Sequence, residues 1–241
     1  MEKDDVRRTV AQACRVLALA GLTEDILGHV SVRVDDDTML LRCRGPHEQG
    51  LLHTTPDDVR EVRLDGTGDP GDGYRAPHEA SIHAELLRAR PEVRAVVHAH
   101  PRHAVLAELA GLPLRPVFGA YHIPAYRLAV DGVPVYPRSV LVSTPALGRE
   151  LAAAMGESDQ CMLHGHGIAV VGTSVQQAVL RALALEELAR WTVELTGLGA
   201  SPPDVPPEDR RELPDLGIEL NDRTMWRHHL ARLERAGLAV G

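Results

Sequence analysis

Two histidines stand two residues apart at the end of the run Val93-Arg94-Ala95-Val96-Val97-His98-Ala99-His100, and a proline follows at once. The apolar run reads as a strand. Pro101 has no amide hydrogen to give to a neighbouring strand, so a central strand must stop there. Helical spacing resumes over residues 102–110. Alternation along the strand sends the side chains of His98 and His100 to the same face. The chain must therefore fold so that two imidazoles share one strand end.

The rest of the pattern mixes helices and hairpins. Val6, Val10, Ala13, Cys14, Leu17 and Ala20 recur at helical spacing, and Gly21 ends that helix. Val30, Val32 and Val34 alternate with polar residues as in a half-buried strand. Asp35-Asp36-Asp37 reads as a turn, with Met39-Leu40-Leu41 as the hairpin partner. Residues 57–64 predict a short helix or strand, and 66–73 a surface loop. Residues 77–90 predict a helix with Pro77 in its first turn. The proline-rich stretch 111–140 predicts loops and edge strands, and 146–155 a helix. Cys161-Met162-Leu163 and Ile168-Ala169-Val170-Val171 read as strands joined at a tip, His164-Gly165-His166-Gly167. Ser174 is placed to cap a long helix over 174–195. Residues 201–214 hold five prolines and read as a linker, and 215–241 as a helical tail. There is no internal repeat. Hairpins outnumber crossover units, which predicts one α/β domain over residues 1–200. Its three layers are a mixed, mainly antiparallel central sheet flanked by helices.

Composition removes several classes of function. Only seven of 241 residues are aromatic, so Ala, Leu and Val must build the core. A net charge of −8 without a basic run argues against nucleic acid. No apolar stretch approaches the ~20 residues that cross a bilayer. The charged start, Met1-Glu2-Lys3-Asp4-Asp5, lacks the apolar segment of a signal peptide. Cys14, Cys43 and Cys161 show no CxxC spacing, so a reducing cytoplasm is expected. The only lysine is Lys3, at a terminus expected to fray. Schiff-base chemistry needs a desolvated lysine amine, so lysine-dependent aldolases and pyridoxal phosphate enzymes are excluded, as are P-loop NTPases.

Thirteen histidines point elsewhere. Imidazole is the commonest protein metal ligand. His98 and His100 can converge on one cation, and a third imidazole must come from a distant segment. His166 is the leading candidate, because glycines flank it and let backbone approach closely. His164, two residues earlier, competes. Glu79 falls in the predicted first turn of its helix, where the helix dipole favours a carboxylate, although a solvated acid is also common there. His83, four residues on, can hold that carboxylate or face the core.

Together these residues resemble the class II aldolase/adducin family, typified by fuculose-phosphate aldolase and ribulose-phosphate 4-epimerase. The family pattern is an N-terminal helix, G-N-x-S, a T-P-x-G loop, E-x-x-x-H, H-x-H and a late H-G. Here the corresponding stretches read Gly28-His29-Val30-Ser31, Arg42-Cys43-Arg44-Gly45, Glu79-Ala80-Ser81-Ile82-His83, His98-Ala99-His100 and His166-Gly167, spread over residues 6–196. The resemblance implies that His98, His100 and His166 hold a divalent metal, zinc first and Fe, Mn or Co as alternatives. It implies that Glu79 is the catalytic acid/base and a possible fourth ligand. The metal acts as a Lewis acid and stabilises the enediolate left when a carbon–carbon bond breaks.

The departures are informative. His29 replaces the Asn of the phosphate cradle, Arg42 and Arg44 enter the loop before Gly45, and Pro77 and His78 replace serines before Glu79. Guanidinium forks match carboxylates. The expected substrate is therefore a small hydroxylated carboxylate, probed by His29, Ser31, Arg44, Gly45 and His78. Both arginines can instead face solvent beside the acidic turn. The stretch Arg42-Cys43-Arg44-Gly45-Pro46 resembles the branch that decarboxylates dihydroxylated aromatic acids. A branch of Fe(II) oxygenases acting on aryl pyruvates, a sugar-phosphate aldolase and a non-catalytic adducin-like module are the alternatives. The resemblance also implies a homotetramer with sites at subunit interfaces, where a neighbour's tyrosine donates a proton. Tyr121 and Tyr136 lie in that region. The tail, with Trp226, His228 and His229, either covers the site or packs Trp226 into the core.

Overall fold

The computed structural model describes residues 3–241; Met1 and Glu2, part of the charged start, lie outside the described residues. Seven strands form one sheet. They are β1 (His29–Arg33), β2 (Thr38–Arg42), β3 (Val59–Arg63), β4 (Ala95–Ala99), β5 (Val135–Tyr136), β6 (Gln160–Leu163) and β7 (Gly167–Gly172). Their order is β3-β2-β1-β4-β7-β6-β5. Every pairing is antiparallel except the short parallel β5–β6 edge. Helices α1 (Lys3–Leu19), α3 (Arg102–Leu109), α4 (Ile123–Ala129) and α6 (Val175–Gly197) cover one face. Helices α2 (Ala80–Ala89) and α5 (Pro145–Met155) cover the other. This is the three-layer, mainly antiparallel architecture expected from the sequence.

Both faces of the sheet are dry, and the layers divide the core by strand parity. Val30, Leu40, Val97 and Val170 pack under α1 and α6. Met39, Leu41, Val96 and Val171 pack under α2 and α5. The polar partners of the β1 alternation are buried too. His29, Ser31 and Arg33 are 4%, 0% and 8% exposed, against the expectation of a half-buried strand. Arg33 reaches the end of α2, donating to the Leu87, Arg90 and Val93 carbonyls, and so satisfies acceptors that the helix terminus leaves over.

Several expectations are corrected. The helix foreseen from Pro77 starts at Ala80. Residues 77–79 form a turn in which the Ala80 amide donates to the Pro77 carbonyl at 3.0 Å, and Glu79 becomes the cap residue at φ −98°, ψ 23°. Residues 57–64 resolve into a short 3-10 turn and β3. Within the stretch expected to be loops, α4 forms because His122 caps it. The His122 Nδ1 accepts from the Ala125 amide at 3.1 Å. The linker contains α7 (Pro207–Glu212) and buries Val205. The tail forms α8 (Met225–Arg235), which packs Trp226 and Leu233 into the core beside α1 and α6, so it does not cover the histidine cluster. Lys3 is helical and its ammonium pairs with Glu61 at 2.7 Å. It is exposed and solvated, as the exclusion of lysine chemistry requires. No helix is long and apolar enough to cross a membrane among the described residues.

Candidate metal centre and active site

The β1–β4 ladder pairs His29 with His98, and β4 pairs His98 with Ala169 of β7. Two glycines make this crossing possible. Gly28 enters β1 at φ +83°, a conformation that L side chains rarely adopt. A Cβ on Gly167 would lie 2.3 Å from the Ala99 carbonyl oxygen and 2.9 Å from the His100 ring, so only glycine lets the hairpin tip approach β4 this closely. The tip itself is held from α3. Glu108 accepts from the His164 ring at 2.6 Å and from the Gly165 amide at 2.9 Å.

Three imidazoles meet at this crossing. Ring centroids lie 4.9 Å apart for His98–His100, 5.0 Å for His98–His166 and 4.9 Å for His100–His166, close to an equilateral triangle. Glu79 completes the group, its carboxylate 3.4 Å from the Nε2 of His98 and 3.4 Å from the Nε2 of His166. One potential ligand atom from each of the four residues lies within 4.8 Å of the others. The competitor, His164, points to Glu108 instead.

The protonation pattern suits a cation. The His98 Nδ1 lies 3.0 Å from the Ile168 carbonyl, which can only accept, so the hydrogen sits on Nδ1 and Nε2 turns a lone pair inward. That lone pair faces the His100 Nε2 at 2.9 Å. The His166 Nδ1 is buried with no hydrogen-bond partner. Burial, then the charges of His98 and His166, push the His100 imidazole down to about 3, which keeps it neutral and ready to ligate. Burial alone would raise the Glu79 carboxyl. The adjoining imidazoles of His166 and His98, each 3.4 Å away, outweigh it and hold the group well below the usual carboxylate range. The Val142 amide also donates to Glu79, at 3.1 Å. Three nitrogens and one ionised carboxylate form a donor set suited to Zn, Fe, Mn or Co.

Other residues foreseen around the site fall differently. Ser31 is fully buried and hydrogen-bonded to His83, so it cannot touch a ligand directly. Arg42 shares the parity of Leu40 and lies on the sheet face opposite His29 and His98. There it is 2% exposed and paired with Glu48, which corrects both readings of Arg42 as a substrate fork and as a solvated surface residue. Arg44 lies two residues beyond β2, bridged through its backbone to Arg75, and is part-buried. Gly45 packs against the Tyr74 ring, which a Cβ would meet at 2.7 Å. His78 is exposed, lining a surface groove with Ser81, Ser143 and Pro145. Tyr136 is buried and its hydroxyl donates to Glu150 at 3.0 Å, which removes it as a donor to a neighbour's site. Tyr121 is 64% exposed and stands over α6, its hydroxyl 3.4 Å from Glu187. His228 and His229 line a cavity of about 1260 Å³ with α4 and α6, which includes none of the four cluster residues. Sequence reasoning missed Glu108 and the hydrogen bond between His29 and His83, whose ring nitrogens lie 2.7 Å apart. The i, i+4 spacing of Glu79 and His83 was the one available signal for the latter.

Comparison with known proteins agrees with this architecture. The Class II Aldolase and Adducin N-terminal domain family matches residues 8–193. The chain is 49% identical over 234 residues to a 3,4-dihydroxyphthalate decarboxylase of Arthrobacter keyseri, covering 95% of this chain and 94% of that protein. It is 50% identical over 230 residues to the 3,4-dihydroxyphthalate decarboxylase of Terrabacter sp., covering 94% and 96%. The solved L-fuculose 1-phosphate aldolase of Glaciozyma antarctica superposes with a TM-score of 0.79 at 19% identity, covering 99% of this chain and 93% of that one, a likeness of fold. With a match across most of its length and relatives half identical to it, the chain belongs to the class II aldolase and adducin family.

Proposed function

We propose that this protein is a divalent-metal-dependent carbon–carbon lyase that decarboxylates a dihydroxylated aromatic acid of the 3,4-dihydroxyphthalate type. The observation that carries the reading is the convergence of Glu79, His98, His100 and His166. The relatives that are half identical over nearly full length support the substrate class. These four residues would hold the metal, zinc first. When bound, it would supply Lewis acidity toward the substrate's oxygens.

The chain's own residues do the rest. The carbon–carboxylate bond breaks, carbon dioxide leaves, and the ring carbon takes up one proton. Glu79 serves as a ligand and as the acid/base that takes a proton from a substrate hydroxyl and delivers it to the ring carbon. His29 lines the site beside His98, their rings 5.0 Å apart. Arg44 and Gly45 follow β2 at the same end of the sheet, with Arg44 part-buried and bridged through its backbone to Arg75; on this reading Arg44 is the residue that would recognise the substrate's carboxylate. His78, exposed on the turn before Glu79, is the remaining candidate for contact with the substrate. Tyr121, exposed on each subunit, is free to enter a neighbour's site in a homotetramer. Three free, buried cysteines fit a cytoplasmic protein.

The test is anaerobic turnover of 3,4-dihydroxyphthalate by the zinc-loaded protein, read as carbon dioxide released. Stoichiometric release supports the lyase. Turnover that requires O₂ would identify an oxygenase, and cleavage of fuculose 1-phosphate alone would identify a sugar-phosphate aldolase. His98→Ala and His166→Ala should each lose metal by elemental analysis, and full retention would remove them as ligands.

A further inference from the structure

Beneath the cluster, three polar side chains are buried in line. Ser31 and His83 are fully buried and His29 is 4% exposed. The Ser31 Oγ lies 2.6 Å from the His83 Nδ1, and the His83 Nε2 lies 2.7 Å from the His29 Nδ1. Such a chain has two possible polarities, and the serine selects one. Its hydroxyl always carries a hydrogen, and His83 is its only side-chain or backbone partner among the described residues. A buried hydroxyl that fails to donate forfeits a hydrogen bond at substantial cost. Ser31 therefore donates to the His83 Nδ1. His83 then carries its hydrogen on Nε2 and donates it to the His29 Nδ1. His29 is left with its hydrogen on Nε2, which, of the four ring nitrogens of His29 and His83, is the one without a hydrogen-bond partner among the described residues.

We propose that Ser31 and His83 are positioning residues that lock His29 as a neutral Nε2–H donor, aimed at an anionic oxygen of the ligand held beside His98. The proposal rests on the lyase reading for the identity of that ligand, but its tautomer component does not. It accounts for what replaces the side-chain amide at this position of the family pattern. An amide offers both a donor and an acceptor, whereas a tautomer-locked imidazole offers a donor only. The site would thus favour a carboxylate or phenolate oxygen over a neutral hydroxyl.

The experiment has two arms. Nitrogen-15 histidine spectra of the metal-free and zinc-loaded protein report which ring nitrogen carries each hydrogen. Both His29 and His83 are expected in the Nε2–H form, and Ser31→Ala should convert them to mixed tautomers. His29 in the Nδ1–H form, or spectra unmoved by Ser31→Ala, would overturn the chain. In the second arm, calorimetry measures phthalate binding to the zinc-loaded protein. His29→Phe should weaken it roughly tenfold, the scale of one lost hydrogen bond to a charged group. His29→Asn, which restores a donor, should recover most of it, and zinc content should be equal in all variants. Phthalate affinity within about twofold of wild type in His29→Phe would overturn the donor role. If the wild type binds no zinc, the proposed function fails while the metal-free spectra still decide the tautomers.

Discussion

Removing the titration of His83 should make the metal-free protein less sensitive to acid. His83 is fully buried, packed against His29 and Ser31 of β1, with the charges of His98 and Glu79 nearby. Burial, then His98, pushes its pKa down to about 3. A depressed histidine leaves the native state neutral while the unfolded chain takes up a proton below its ordinary value of about 6.5. Between those two values the unfolded state binds more protons, so stability falls as pH falls. At about pH 5 the loss is about 1.36 kcal/mol times 1.5 pH units, or roughly 2 kcal/mol from this residue alone. Total stabilities are typically about 5–15 kcal/mol, so the effect is large. The assay is urea unfolding of chelator-treated protein at several values between about pH 8 and pH 5, comparing wild type with His83→Gln. The variant should begin less stable, because two tight hydrogen bonds are disturbed, yet its slope against pH should be shallower by up to one proton. Parallel slopes for the two proteins would refute the assignment of a neutral, buried imidazole at this position.

Three further outcomes follow from the packing around the centre. Glu48→Gln strands the buried Arg42 guanidinium and should cost about 3 kcal/mol by urea unfolding, with KM for the aromatic acid unchanged. A raised KM would return Arg42 to the substrate. Gly167→Ala cannot be accommodated 2.3 Å from the Ala99 carbonyl without parting β4 from the tip. It should weaken zinc binding by at least tenfold in chelator competition, as when a ligand's supports are lost, and unaltered affinity would show that His166 does not depend on that approach. Glu108→Ala releases the His164 and Gly165 contacts that hold the same tip. It should weaken zinc by about tenfold while His98 and His100 keep the metal from being lost altogether, and an affinity equal to wild type would make Glu108 a purely surface-clasping residue.

What was legible in the sequence, and what was not, follows from the range of the forces involved. The pairing of His98 with His100 is a local consequence of strand alternation, so spacing alone reveals it. The hairpin tip of His166 is marked by its glycines. The identity of Glu79 was readable, but its placement was not, because the turn at residues 77–79 moves it from the first helical turn to the cap. Arg42 was misread for a different reason. In β2 the run Met39-Leu40-Leu41 is apolar on both sides, because helices cover both faces of the sheet. Hydrophobic alternation then carries no information about which side Arg42 faces. In β1 the opposite error occurs. His29, Ser31 and Arg33 look like a solvent face, since polar residues alternating with valines usually meet water. Here they are buried because each polar group finds a partner: His83 for two of them and the end of α2 for the third. Alternation reports polarity, and polarity implies water only where the protein offers no hydrogen bonds in its place. A strand that keeps three such groups dry must be closely matched by the helix above it. Consistency between local pattern and burial is therefore lost at the strand that adjoins the proposed metal centre, where a functional constraint is the physical reason for the exception.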